Sequence, residues 1–553
     1  MPQTTRFRAA TAALLLAVSS AHAASAQDPA AVIAEMALQK GQCREASEAY
    51  AKAAATSSDT ALAARATQVA MGCEQLDTAQ RAAARWQQLL PGRGEPALAR
   101  AIVAMKRFQV DEARKALIVW RDSGAAGNQD PGRFAQVLEG ETESTIAYRV
   151  FGEVLLGDDP TAEVLLAQAT LALHAYDYKG AVKYADQALS LRAAALPAQL
   201  VKVRAQALLG DVEPALALAR ELDGKLADED AFLAADVLAA AQRPEAAREE
   251  LLRLHVKPSL AAGAERRLGA LALEQGDLAQ AERHFMAIIG QREQAPVALL
   301  SLARIFERRG DDERALRAYA LLGDSSASLA ARSGAARLLL KQGKREQALG
   351  LFDSYQKQHP ESAIEVASVR AQLFAGRGEA ATAVAVLDAA LKDYPNHPQL
   401  QYQRATMLER AGKHADAERA FEALLKQRPE DPGVANALGF TLADHNRSLD
   451  RAEKLVRQAL AASPDNPAIL DSFGWVRYRR GHADEAVAPL EKAWRGFRDA
   501  EVGAHFGEVL WKKGEEGRAR YVWQQALNVD PENELLRKTM QRLTGEEPPR
   551  GDR

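Results

Sequence analysis

The sequence predicts an all-α solenoid of antiparallel helix pairs, and three observations predict it. Glycines recur at Gly276, Gly310, Gly343, Gly378, Gly412, Gly481 and Gly514, in steps of 34, 33, 35, 34, 69 and 33 residues. Alanines keep the same beat at Ala247, Ala281, Ala315, Ala348, Ala383, Ala417, Ala452, Ala486 and Ala519. Four residues after each alanine stands a large or branched side chain: Leu251, Phe285, Tyr319, Phe352, Leu387, Phe421, Val456, Leu490 and Trp523. Registers that move together at this period mean stacked supersecondary units, none of which can bury its apolar face alone.

Each register has a mechanical reason. Glycine just past a helix end takes the left-handed conformation that a tight turn between helices needs. Alanine five residues later lets the second helix lie close against the first. The large residue one turn on shares that face and fills the gap. Pro360, Pro395, Pro429, Pro464 and Pro531 end their units, because proline cannot continue a helix.

Composition agrees with helices throughout. The chain has 553 residues, 47% hydrophobic and only 6% aromatic, with a formal charge of −3. It is too apolar to be disordered, and near-neutral charge lacks the basic footprint of nucleic-acid binding. Two cysteines exclude a disulfide-dense scaffold and a four-thiolate zinc site.

The first 26 residues read as a secretory signal: Arg6 and Arg8, an apolar run from Ala9 to Val18, then Ala21-His22-Ala23 and Ala24-Ser25-Ala26. Its removal takes two arginines and moves the charge from −3 to −5. No cysteine lies near either cleavage site to carry a lipid, and no later run is long enough to span a membrane. The expected location is therefore a periplasm, in soluble form or peripheral to an outer membrane.

Residues 27–122 hold N-terminal helix pairs. Residues 123–159 are a divergent pair and the expected hinge, flanked by Gly124–Pro131 and Gly157–Pro160. A central array runs over 160–395 and a C-terminal array over 396–543, with about fourteen pairs in all; residues 544–553 form a disordered tail. Cys43 and Cys73 lie near equivalent turns of the first two units. Neighbouring helices stack at about 8–10 Å, whereas a disulfide needs Cα atoms within about 7 Å. A bridge and two separate thiols both stay open.

The pattern resembles the tetratricopeptide repeat family, which places a small residue at position 8, Ala at 20, a large residue at 24 and Pro at 32. The best units are Pro398–Pro429, with Ala405, Ala417 and Phe421, and Leu329–Pro360, with Ala336, Ala348 and Phe352. The resemblance implies a right-handed superhelix whose first helices line a concave surface. Positions 5, 9 and 12 there hold Tyr402, Asn436, Phe440, Asp471, Trp475, Tyr478, Glu508 and Trp511. Aromatics interleaved with Asn, Asp and Glu have the composition of a protein-binding groove. The alternative is that Trp475 and Trp511 wedge between neighbouring repeats.

The segments Asn436–Asp444, Asp471–Tyr478 and His505–Trp511 are similar to a proteobacterial envelope branch of the family. These repeat lipoproteins bind a carboxyl-terminal processing protease and bring it to cell-wall hydrolases. The resemblance implies a non-enzymatic adaptor with those partners; a scaffold for secretion, polysaccharide export or outer-membrane assembly is the second reading. The missing lipid-bearing cysteine departs from that branch. No catalytic motif is present, and no cofactor or metal is expected. His482 with Glu485 and His505 with Glu508 stand one turn apart, but three further metal ligands would be needed, so exposed helix surface is expected at both. Arg308-Arg309 and Lys512-Lys513 are expected at helix C-termini, complementing the macrodipole.

Overall fold

The computed structural model describes residues 29–124, 130–228, 230–323, 325, 327–531 and 533–548. The expected signal segment, residues 125–129 of the expected hinge and the last five residues of the tail lie outside that range. Among the described residues the chain is an α-solenoid of 31 α-helices without a strand. They form fifteen antiparallel pairs, from Pro29–Gln39 with Cys43–Thr56 to Ala500–Lys512 with Glu516–Val529, and a final single helix Glu534–Thr544. That is one pair more than the sequence count. Residues 130–159 hold two short helices, Pro131–Glu141 and Ser144–Leu155.

The registers do what their chemistry requires. Ala46, Ala79, Ala113, Ala181, Ala215, Ala281, Ala315, Ala348, Ala383, Ala417, Ala452, Ala486 and Ala519 are all fully buried. The large partners from Leu251 to Trp523 are buried with them. Where position 8 is glycine, the reason is close approach. A Cβ on Gly474 would come within 2.5 Å of Leu490 Cγ, and one on Gly439 within 2.6 Å of Val456 Cγ2. A Cβ on Gly507 would collide with the indole of Trp523.

The turns inside the pairs use a Schellman stop. In one, Gly276 has φ of +78° and the Asp277 amide donates back to Ala272 O at 2.9 Å. At most such glycines, from Gly210 to Gly514, an added Cβ would meet nothing within 4 Å. Arg308-Arg309 and Lys512-Lys513 close their helices as expected.

The chain divides into two compact units, each assembled from stretches distant in sequence. The first takes residues up to His174, Gln187–Ala194 and Ser328–Glu430. The second takes Ala175–Asp186, Ala195–Ala327 and Asp431 onward. Inside each unit, turns of early pairs meet loops that close late pairs, and here side chains replace glycine in the left-handed position.

In the first unit these residues are Glu74 (φ 53°) and Phe108 (φ 58°). Glu74 pairs with Lys106 at 2.9 Å and faces His397 Nε2 at 3.8 Å, while the Phe108 ring lies 5.2 Å below the Arg428 guanidinium. Gly41 keeps its glycine because Pro360 Cγ would stand 2.7 Å from a Cβ there. In the second unit they are Tyr176 (φ 59°) and Gln242 (φ 56°). Tyr176 O accepts from the Asp465 amide at 2.9 Å, and Gln242 Oε1 accepts from Arg498 Nη2 at 2.9 Å. A left-handed residue with a Cβ costs about 1–2 kcal/mol. The side chain or backbone contact it makes at range offsets that cost.

The two cysteines are joined. Cys43 opens the helix Cys43–Thr56, Cys73 caps the helix Thr60–Gly72, and their Cα atoms stand 5.4 Å apart. The helix-stacking distance overstates their separation because both sit at helix ends, where the chain turns inward.

Candidate protein-binding surface

The expected groove residues fall on four first helices. Tyr402 lies on Pro398–Arg410 in the first unit, half-buried, its ring edge-on to Phe421 at 5.9 Å. The others lie in the second unit, on Pro432–Asp444, Pro467–Arg479 and Ala500–Lys512. There the structure gathers Phe440, Asp471, Trp475, Tyr478 and Glu508 into one cluster.

His505 is its centre, and sequence reasoning misplaced it. Instead of standing on exposed helix surface, it is 4% exposed. Asp471 and Trp475 of the preceding first helix, with Phe440, close over its face. Its Nδ1 lies 3.0 Å from each carboxylate oxygen of Asp471. Its ring stacks on Trp475 at 4.3 Å, with Phe440 at 5.7 Å. Burial works against protonation of His505, but the Asp471 carboxylate overrides it and holds the imidazole above its ordinary value.

Trp475 is buried and packed between repeats. Its Nε1 donates to Asp444 Oδ1 at 3.1 Å, and the Arg479 guanidinium lies 5.5 Å over its ring. Tyr478 donates to Glu508 Oε1 at 3.1 Å, and the other carboxylate oxygen accepts from Arg542 Nη2 at 2.5 Å. Burial, and then the Glu508 charge, push the Tyr478 hydroxyl up to about 12. Trp511 keeps part of its face open, packed 5.5 Å from Trp523 with Arg520 at 5.2 Å. Asn436 Oδ1 is buried without a hydrogen-bond partner. His482 and Glu485 are exposed and 3.6 Å apart, as expected of helix surface.

A second network backs this surface. Glu453 is buried and accepts from Arg457 at 2.6 Å, from Arg477 at 2.9 Å and from Arg480. Sequence reasoning missed it, and it missed Arg542. A signal for part of this existed: Asp471 with His505 and Glu508 with Arg542 are complementary pairs 34 residues apart. One repeat length sets equivalent positions of adjacent first helices side by side.

Family models described as tetratricopeptide repeat match residues 266–330, 333–398, 368–432 and 402–467. Residues 266–330 and 333–467 thus match tetratricopeptide repeats. The clustered residues from Asp471 to Trp511 sit in repeats beyond the matched stretch. A TPR repeat-containing protein of Pseudomonas aeruginosa is 31% identical over 252 residues, covering 46% of this chain and 43% of that one. Cellulose synthase operon protein C of Pseudomonas fluorescens is 30% identical over 145 residues, 24% of this chain and 11% of that one. The chain thus spans less than half the length of either relative. Among solved structures, yeast Tom70 is 16% identical with a TM-score of 0.36, over 76% of this chain and 96% of its own. A tetratricopeptide repeat protein from Parabacteroides merdae is 18% identical with a TM-score of 0.33, over 46% and 100%. Among the described residues no helix is long and apolar enough to cross a membrane.

Proposed function

We propose that this chain is an exported, non-enzymatic adaptor of the bacterial cell envelope that binds protein segments through the first helices of its C-terminal repeats. The carrying observation is the cluster on three successive first helices. Asp471, His505 and Trp475 are buried against one another, buried Glu508 holds the Tyr478 hydroxyl, and Phe440, Tyr478 and Trp511 are only half-buried. Rigid aromatic anchors over a satisfied polar base have the build of an interface hot spot.

The partner we favour is a carboxyl-terminal processing protease together with its cell-wall hydrolase substrates. The similarity of the Asn436–Asp444, Asp471–Tyr478 and His505–Trp511 segments to the protease-binding branch supports it. The Cys43–Cys73 bond supports export, since such bonds persist in oxidising compartments. The second reading, a scaffold for polysaccharide export, draws on the 30% identity to a cellulose synthase operon protein.

The test is capture from envelope extracts by the purified chain, with bound proteins identified by mass spectrometry. Recovery of a processing protease, lost in Phe440→Ala and Trp511→Ala, is the expected result. Recovery of export components alone would favour the scaffold. Unchanged capture by both variants would move binding away from this surface.

A further inference from the structure

The Cys43–Cys73 bond sits where the first unit closes. Gly41, Arg44, Glu74, Gln75 and Asp77 crowd around it, and every one meets a loop more than three hundred residues later in the chain. Arg44 Nη1 donates to Lys392 O at 3.3 Å and lies 3.7 Å from Asp393. Gln75 Nε2 donates to Asp393 O at 3.2 Å, and Asp77 accepts from Asn396 at 2.6 Å. Glu74 faces His397. One cysteine is therefore the immediate neighbour of Arg44 and the other of Glu74. The two arms that grip the 392–397 loop come from different helix pairs, and the bond ties the pairs together at the base of those arms.

We propose that Cys43–Cys73 is a redox latch: oxidised, it holds both arms in register for the 392–397 loop; reduced by a dithiol, it releases that loop. Cys43 is half-buried and Cys73 buried, so attack falls on the Cys43 sulfur. A thiolate of the reductant bonds to it, and the Cys73 sulfur leaves with the electron pair and takes up a proton. The reductant's second thiol, deprotonated, then attacks its own mixed-disulfide sulfur, and Cys43 leaves and is protonated. Two electrons and two protons pass from the dithiol to the chain, which gains two thiols while the dithiol becomes a disulfide. The arms, no longer tied, are held by the packing of the helices Cys43–Thr56, Thr60–Gly72 and Leu76–Leu89.

The loop carries its own reporters, because the amides of Tyr394 and His397 donate to Ala390 O and Tyr394 O. Hydrogen exchange of the full chain, followed by mass spectrometry, is compared before and after reduction with dithiothreitol and alkylation. Reduction is expected to speed exchange at least tenfold in 392–397 as well as around Cys43 and Cys73, leaving Tyr176–Tyr178 in the second unit unchanged. The Arg44→Ala, Gln75→Ala double variant, bond intact, is expected to reproduce the change at 392–397 alone. Faster exchange confined to the cysteine turns would overturn the latch and leave a local staple. An unchanged 392–397 loop in the double variant would overturn it too, as would two free thiols per chain in unreduced, denatured protein.

Discussion

His505 Nδ1 is held 3.0 Å from both oxygens of Asp471 while its ring stacks on Trp475, so one imidazole joins an ion pair to an aromatic surface. Its folded pKa is raised above the unfolded value of about 6.5. Stability from the pair is therefore fully present below that value and is lost as pH rises through the folded pKa. Removing one partner of a buried pair costs about 3–5 kcal/mol. Asp471→Asn is expected to lose most of that at pH 5.5 and less at pH 9, measured by urea unfolding followed by far-UV circular dichroism.

Glu453 answers to the opposite sign. Burial raises its pKa, but hydrogen bonds and charge from Arg457, Arg477 and Arg480 win and hold it low. This stability is present above the unfolded pKa of about 4.3 and falls as pH drops through the folded value. Glu453→Gln strands the buried Arg477 guanidinium and should cost about 3 kcal/mol at pH 7. A loss below about 1 kcal/mol in chemical denaturation would mean that Glu485 and solvent carry Arg477 instead.

The left-handed turns allow a comparison of strain with contact. Tyr176 makes its long-range contact through its backbone, so Tyr176→Gly should keep the contact and raise stability by up to about 1 kcal/mol. Phe108 makes its contact through its ring, so Phe108→Gly relieves the same strain yet should lose about 1–2 kcal/mol net. Opposite shifts of the two urea midpoints are the expected reading; shifts of one sign would refute the distinction.

Close approach makes a third kind of prediction. A methyl on Gly439 would stand 2.6 Å from Val456 Cγ2 and 2.9 Å from Ala452 O, and the latter is backbone that cannot swing away. Alanine favours helix by roughly 1 kcal/mol, yet Gly439→Ala should still destabilise by about 1–3 kcal/mol. A thermal midpoint equal to or above that of the natural chain would refute the steric account.

The repeat itself was legible because its physics is local. A buried alanine, a left-handed glycine and a helix-ending proline each leave a mark at a fixed spacing. The cluster around His505 was half legible: position counting found Asp471, Trp475, Tyr478 and Glu508, but set His505 on the surface, because helix phase does not reveal how tightly neighbours close over a face. The contacts of Phe108 with Arg428 and Tyr176 with Asp465 were invisible. They join positions whose separation, 289 residues for the latter pair (465 − 176), matches no repeat period and depends on how many pairs intervene.

That dependence constrains how such a chain can evolve. Solenoids are usually free to gain or lose one hairpin, since each unit touches only its neighbours. Here, excising a single hairpin between Ala261 and Ala320 would carry Asp465 and Arg498 one step away from Tyr176 and Gln242. Tyr176 and Gln242 would then keep their strain and lose their counterparts. The number of hairpins in this interval is thus set by fit at a distance, and descendants of the gene should vary in residue identity there far more readily than in length.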